Sequence, residues 1–304
     1  LWDYPDNRYL AAELRADARG HNLRQSVFVE CNSAYDSGGP EALRPVGDTR
    51  YVVEQAATPA DDSVAVATGI VGFADLQLGA AVAPVLVAHR EAGDGRFRGI
   101  RHSCSWDPSE AVRNSHSNPP RALYLRDDFR EGFEQLSHHD MLFEAWCYHP
   151  QLPEVADLAR AFPDTTIVMD HVGGPVGIGP YAGQREKVFT LWQAGIRELA
   201  ACDNVVMKLG GLAMPLNGFG WHKAARPPDS RALVEAFAPY FDFCLRQFGV
   251  ERCMFESNFP VDRLSCSYTV LWNAFKRLAA GYSSSECDAL FHDNALRVYR
   301  LAPR

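Results

Sequence analysis

Seven short runs of β-branched and aromatic residues follow one another along the chain. They are SVFVEC (26–31), VAVATGIVGF (64–73), FRGIRH (97–102), MLFEAWCY (141–148), TTIVMDH (165–171), NVVMKLGG (204–211) and CMFESNFP (253–260). Most are nearly continuous in apolar character rather than alternating. That is the pattern of strands covered on both faces, as in a parallel sheet. Between them lie stretches with apolar residues at three-to-four spacing, the period of an amphipathic helix. LPEVADLARAF (152–162) opens with Pro153 near its first turn, and EKVFTLWQAGIRELAA (186–201) repeats the pattern. SRALVEAFAPYFDFCLRQFG (230–249) predicts a helix capped by Ser230 at its start and by Gly249 at its end. Pro239 inside it predicts a kink or a break into two helices. The tail SSSECDALFHDNALRVYRL predicts serine caps followed by one more amphipathic helix.

Strands alternating with helices imply right-handed βαβ units. The predicted fold is α/β, a single (β/α)8 TIM barrel over residues 1–304. Seven runs leave the barrel one stave short, and the eighth is expected upstream of Leu1. An open doubly wound sheet has less in its favour, because neither a GxGxxG nor a Walker pattern follows any of the runs. Two long loops rich in Pro, Gly and polar residues, 103–122 and 211–230, each follow a strand directly. In a barrel that places them on the catalytic face.

Composition narrows the partners. The chain has 304 residues, 47% hydrophobic and 22% charged, with a formal net charge of −8 and no cluster of basic residues. Nucleic acid and anionic membrane both require a concentrated basic face, so neither is expected as partner. A small molecule is, and self-association into a homo-oligomer stays open. The eight cysteines are scattered and never form CxxC. They read as buried free thiols of a reducing, cytoplasmic compartment. No run approaches the roughly 20 apolar residues of a membrane span. No secretory signal is visible, but the sequence opens at Leu1 rather than Met, so that absence excludes nothing.

Ionisable and aromatic groups gather where the runs end. The first supplies Glu30 and Cys31, and the third supplies Arg101 and His102 with Trp106 beyond. The fourth carries Glu144 and Trp146 and closes with Tyr148 and His149. Asp170 and His171 follow, then Lys208, and finally Glu256, Asn258 and Asp262. A single buried polar group is usually structural, whereas six of seven strands delivering such groups to one end form a site.

The blocks RFRGIRH, AWCYHPQLPEVADLARAFPDTTIVMDHVGGP, NVVMKLGGL, MFESNFPVD and NALRVYRL resemble the amidohydrolase-2 family, within it the branch of sugar-lactone and pyrone-dicarboxylate lactonases. The resemblance runs over nearly the whole chain and implies the barrel. It also implies a His-x-His pair on the first strand followed by Trp-Asp, and here Trp2-Asp3 open the chain, so the pair falls before residue 1. The family's strand-six histidine maps onto His171, and its strand-five position onto Tyr148 or His149. Relatives end their last strand in a Gly-Ser-Asp-Trp-Pro-like run. Here Asn258 stands at the aspartate position, and an amide is neither a base nor a good metal ligand. Glu256 and Asp262 are the nearby carboxylates that replace it. Glu256, two residues before Asn258, is expected to share its face, or to be a structural carboxylate paired with Lys208 or Arg101.

The resulting expectation is hydrolysis of a lactone or similar cyclic ester. His171, with the upstream histidines, binds one divalent metal (zinc or manganese) or polarises the carbonyl directly, and metal-free catalysis stays open. Asp262 or Glu256 is the base, and Tyr148 or His149 the donor to the carbonyl or leaving group. Arg101, His102 and Lys208 fix an anionic or hydroxyl-rich substrate. Trp106, Trp221 and His222 belong to the substrate loops, while Trp146, read as mid-strand, is the tryptophan most suited to the core. Two other readings remain: non-oxidative decarboxylation of an aromatic or muconate-type acid, and a binding protein that has lost its base.

Overall fold

The computed structural model describes residues 8–58 and 64–304. Trp2 and Asp3 lie outside the described residues. All seven apolar runs form strands: β1 (Gln25–Val29), β2 (Ala65–Gly72), β3 (Phe97–Arg101), β4 (Leu142–Ala145), β5 (Ile167–Met169), β6 (Val205–Leu209) and β7 (Cys253–Phe255). They pair in sequence order, every pair parallel, in one curled sheet. The strand expected ahead of Leu1 falls outside the sequence, and β1 and β7 are the two edges. The fold is therefore α/β, with seven staves of a barrel arranged as the pattern predicts.

One helix, α1 (Ala11–Asp17), precedes β1, and the others follow the strands: α2 (Val46–Ala56), α3 (Ala83–Ala92), α4 (Asp127–His138), α5 (Leu152–Ala161), α6 (Arg185–Ala200), α7 (Ser230–Phe248), α8 (Tyr268–Leu278), α9 (Ser284–Asp288) and α10 (Asn294–Val298). None of them is long and apolar enough to cross a membrane. Two local expectations are corrected. The N-cap of α7 is Asp229, whose carboxylate accepts the N–H groups of Arg231 and Ala232, and Ser230 instead accepts from the Arg277 guanidinium. Nor does Pro239 divide α7, which is assigned as one helix of 19 residues. Phe237, Tyr240, Phe241, Phe243 and Cys244 around it are all buried. Their packing outweighs the lost backbone bond, whose cost is about 3 kcal/mol. The serine expectation in the tail holds, with Ser283 and Glu286 forming a reciprocal capping box.

Alternation along each strand sorts the core into two layers. Outward positions such as Ile100, Phe143, Ile167, Met207 and Leu209 join Trp192, Phe133, Phe237 and Phe275 beneath the helices. Inward positions Val71, Leu142, Val168, Val206 and Met254 form a smaller apolar cluster inside the curl. One step further along β3 to β7, the inward positions turn polar: Arg101, Glu144, Asp170, Lys208 and Glu256. The chain's last residues complete this floor. Val298, Tyr299 and Leu301 pack on the inner apolar cluster, and the Tyr299 hydroxyl donates to Glu144 Oε1 at 2.6 Å. All eight cysteines are free, six buried and two half-buried.

Tyr299→Phe keeps the packing but leaves a fully buried carboxylate oxygen without its donor. Stability is expected to fall by about 1–3 kcal/mol, read as a lower urea midpoint with an unchanged slope.

Candidate active site

The polar layer at the carboxyl ends of the strands is a linked set of ion pairs. Lys208 Nζ lies 2.7 Å from Glu144 Oε2, 2.9 Å from Asp170 Oδ1 and 3.6 Å from Glu256 Oε2. Arg101 holds Glu30 Oε1 at 2.9 Å and Asp170 Oδ2 at 3.2 Å. Glu30, Glu144, Asp170 and Lys208 are each no more than 5% exposed. Burial alone would push every one of these carboxyls up, and the outcomes differ with the cations each can reach. Glu144 still rises to about 7 despite Lys208. Asp170 has both cations in reach and is held well below the usual carboxylate range. Arg101, Lys208 and the expected structural pairing of Glu256 with Lys208 thus serve charge compensation.

At the rim of this layer the backbone does something unusual. His171, Val172, Gly173 and Gly174 have consecutive φ values of 53°, 47°, 73° and 55°, all left-handed. A non-glycine residue in that region costs about 1–2 kcal/mol, and a β-branched one is a genuine outlier. The turn is held from outside, since Trp192 Nε1 donates to the Val172 carbonyl at 2.6 Å. Its effect is to present both the backbone N–H and the ring of His171 to one carboxylate oxygen. Glu256 Oε1 lies 2.9 Å from His171 N and 2.5 Å from His171 Nδ1. Burial opposes protonation of His171, but the carboxylates of Glu256 and Asp170 outweigh it and raise its pKa above the ordinary value. Glu256 is lowered against its own burial by His171 and Lys208. With Nδ1 committed to Glu256, His171 has Nε2 available for a substrate. The Trp146 ring meets the imidazole edge-on, with centroids 4.6 Å apart. β4 ends at Ala145, so Trp146 is not a mid-strand core residue as expected but a wall of the site.

β7 ends at Phe255, and Asn258 is left-handed at φ 50°. Glu256 still continues the ladder, its N–H donating to the Leu209 carbonyl at 3.2 Å, but the left-handed turn breaks the two-residue alternation before it reaches Asn258. The Asn258 amide donates instead to Asp262 Oδ1 at 2.8 Å. Asp262 is fully buried, and burial pushes its carboxyl up to about 7. Its Oδ2 has no hydrogen-bond partner among the described residues. A buried acceptor of that kind is a natural seat for a water.

The remaining expected residues divide. Tyr148 is buried against Val112, Val176, Met214 and Leu216, and its hydroxyl donates to the Arg113 carbonyl, so its proton is already committed. His149 is also buried, with Nδ1 accepting from Val176 N at 3.3 Å and burial pushing its pKa down to about 4. His102 resembles it: Nδ1 accepts from Leu76 N at 3.3 Å, and burial holds it near 4 as a neutral ring. These three are packed into the walls of the loops rather than left open to a substrate. Trp106 accepts a contact from Arg121, whose guanidinium lies 5.9 Å from its ring centroid. Trp221 stacks on Phe219 at 4.5 Å, and Trp221 and His222 line a cavity of about 300 Å³ beside Phe259 and Arg263.

One residue escaped the sequence reasoning. His116, from the loop 103–122, places Nε2 3.1 Å from Glu30 Oε2. Nothing in the spacing marks it, because its partner lies 86 residues earlier and only the curl of the sheet brings them together. His116 and Glu30 thus form a second histidine–carboxylate pair, joined to the first through Arg101, Asp170 and Lys208.

The expected divalent metal is tested by this donor set. Among the described residues, no three His, Cys, Asp or Glu side chains group as an ion would require. His171 gives Nδ1 to Glu256, and the other expected histidines precede residue 1. The described residues do not by themselves fit a metal.

Residues 13–301 match a family model described as amidohydrolase. The chain belongs to the amidohydrolase family. It is 33% identical to the uncharacterized protein y4mH of Sinorhizobium fredii (strain NBRC 101917 / NGR234) over 293 residues, covering 96% of this chain and 86% of that one. It is 29% identical to an L-fucono-1,5-lactonase of Burkholderia multivorans (strain ATCC 17616 / 249) over 295 residues, again 96% and 86% of the two chains. Among solved structures, an amidohydrolase from Burkholderia multivorans with bound zinc superposes with a TM-score of 0.72 at 26% identity, covering 97% of this chain and 89% of its own. These relatives support the expected amidohydrolase-type barrel enzyme, a hydrolase.

Gly211, at φ 69°, lets the dyad form, since a Cβ there would stand 2.5 Å from His171 Cβ. Gly211→Ala is expected to cost about 1–2 kcal/mol in thermal stability. It should also return the His171 pKa, followed by NMR, towards its ordinary value.

Proposed function

We propose that this amidohydrolase opens a lactone or similar cyclic ester of a neutral, hydroxylated substrate. The observation that carries the reading is the raised-pKa imidazole of His171 together with the buried carboxylate of Asp262, whose Oδ1 is held by Asn258 and whose Oδ2 has no hydrogen-bond partner among the described residues. The two are close enough for the charge of His171 to be felt at Asp262.

Ester hydrolysis needs a base for water, a donor for the carbonyl oxygen and a proton for the leaving oxygen. Asp262 Oδ2 takes a proton from water as the water oxygen bonds to the carbonyl carbon. The carbonyl π electrons move to oxygen, where His171 Nε2–H stabilises the oxyanion. Collapse breaks the bond between the acyl carbon and the ring oxygen, which recovers the proton from Asp262. The product is a hydroxy acid. Asp262 is preferred as base over Glu256, because Glu256 is held ionised by His171 and Lys208 and is a correspondingly weak base. Asn258 orients Asp262 through its amide.

Charge balance supports a neutral substrate. Arg101 and Lys208, expected from the sequence to grip an anion, are each already paired with two or more carboxylates. That is less suited to a pyrone dicarboxylate, or to decarboxylation of an aromatic acid, since both require a cation for the substrate's own carboxylate.

The test is turnover of a panel of neutral sugar lactones, pyrone dicarboxylate and aromatic acids, with and without chelator. A hydroxy acid from a neutral lactone is expected, with Asp262→Asn slowing it by about 10²–10⁴-fold. Carbon dioxide release, or an Asp262→Asn rate equal to the parent's, would overturn the reading. The pH profile carries a sign. Asp262 must be ionised, so the rate climbs through about pH 7. His171 must be protonated, so the rate declines once pH passes its raised pKa. The resulting bell should lose its ascending limb in Asp262→Asn.

A further inference from the structure

We propose that a cavity at the opposite end of the barrel, near the starts of β3 and β4, binds a small dianion carrying a phosphate or a pair of carboxylates. The cavity measures about 480 Å³, and its charged lining is Arg90, Arg98, His138, His139, Asp140 and Arg300. Four separate segments meet there. Arg90 comes from the last turn of α3, Arg98 from β3, the histidines and Asp140 from the end of α4, and Arg300 from the tail.

Cations at helix carboxyl ends ordinarily cap carbonyls and answer the helix dipole. These do so in part. Arg90 donates to the His139 carbonyl, and Arg98 donates to the carbonyls of Tyr299 at 2.6 Å, Gly95 at 2.8 Å and Phe97 at 2.9 Å. Carbonyls satisfy donors but do not neutralise a charge. Among the described residues only Arg300 has a carboxylate, Asp140 Oδ1 at 2.5 Å. Three guanidinium groups less one carboxylate leave two positive charges facing one concavity, in a protein whose formal net charge is −8.

The crowding is felt by the groups themselves. Arg98 is lowered by burial and by Arg300. His139 is lowered by burial, by Arg90 and by His138. A dianion would relieve that repulsion and meet planar forks matched to oxyanion geometry. The site is remote from the catalytic mouth, and the proposal does not depend on the reaction proposed there.

The test is calorimetric titration of the full chain with sodium phosphate and, separately, with succinate, at an ionic strength held constant with sodium chloride. Saturable one-to-one binding of at least one of them is expected. Binding of phosphate alone or succinate alone identifies the group preferred. Each of Arg90→Gln and Arg98→Gln should weaken it about tenfold. Arg98 also ties down the tail, so a readout on the parent protein stands beside the variants: the bound anion should raise the NMR pKa of His139. Dilution heats alone for both anions, affinity unchanged in both variants, or a His139 titration that either anion leaves unmoved would each overturn the proposal.

Discussion

Everything at the carboxyl end of this barrel depends on Lys208 and Arg101 standing among buried carboxylates. Transfer of an isolated carboxylate into a protein interior is prohibitive, and a buried charge persists only when it is paired and hydrogen-bonded. Four acidic groups, Glu30, Glu144, Asp170 and Glu256, share two cations. The sharing is unequal, so groups of one chemical type differ widely in acidity. Asp170 stays ionised under both cations, while Glu144 and Asp262 sit near neutrality. The same arrangement that makes the interior affordable therefore sets which carboxyl can exchange a proton at neutral pH.

The second constraint is steric. His171 can reach Glu256 with both its N–H and its ring only because four consecutive residues turn left-handed after β5. Such strain persists where surrounding structure over-determines it, and it concentrates at functional sites. Here Trp192 holds the turn from the helical side, and Gly173 packs against Leu152. Gly211 leaves room on the facing strand end. Stability in the helical layer thus maintains a costly backbone at the mouth.

The two ends of the barrel carry opposite charge character. The mouth holds an excess of carboxylates around two compensated cations, and the far end gathers arginines whose partners are mostly carbonyls. In (β/α)8 enzymes the carboxyl face carries chemistry and the amino face carries stability. The tail serves both, because Tyr299 donates to Glu144 below the mouth while the neighbouring Arg300 reaches Asp140 at the far end.

Residue order alone determined the seven strands, their parallel sequential pairing and the end at which polar groups would collect. Continuous apolar runs and helical spacing are local signals that need no partner to be read. The prominence of His171, Glu256 and Asp262 was legible for the same reason, as each closes a strand or follows one within a few residues. Apart from Glu256 with Lys208, pairing was not legible. Tyr148 is committed to the Arg113 carbonyl, Arg101 to Glu30 and Asp170, and Trp146 to the edge of His171. His116, carried by a long loop, was not anticipated at all. The two-residue rule linking Glu256 to Asn258 failed because β7 stops at Phe255 and the chain then turns left-handed. Which group stays free to act on a substrate is settled by distances between residues far apart in the chain, and by how much water each has lost. Only the closed-up tertiary structure decides those quantities.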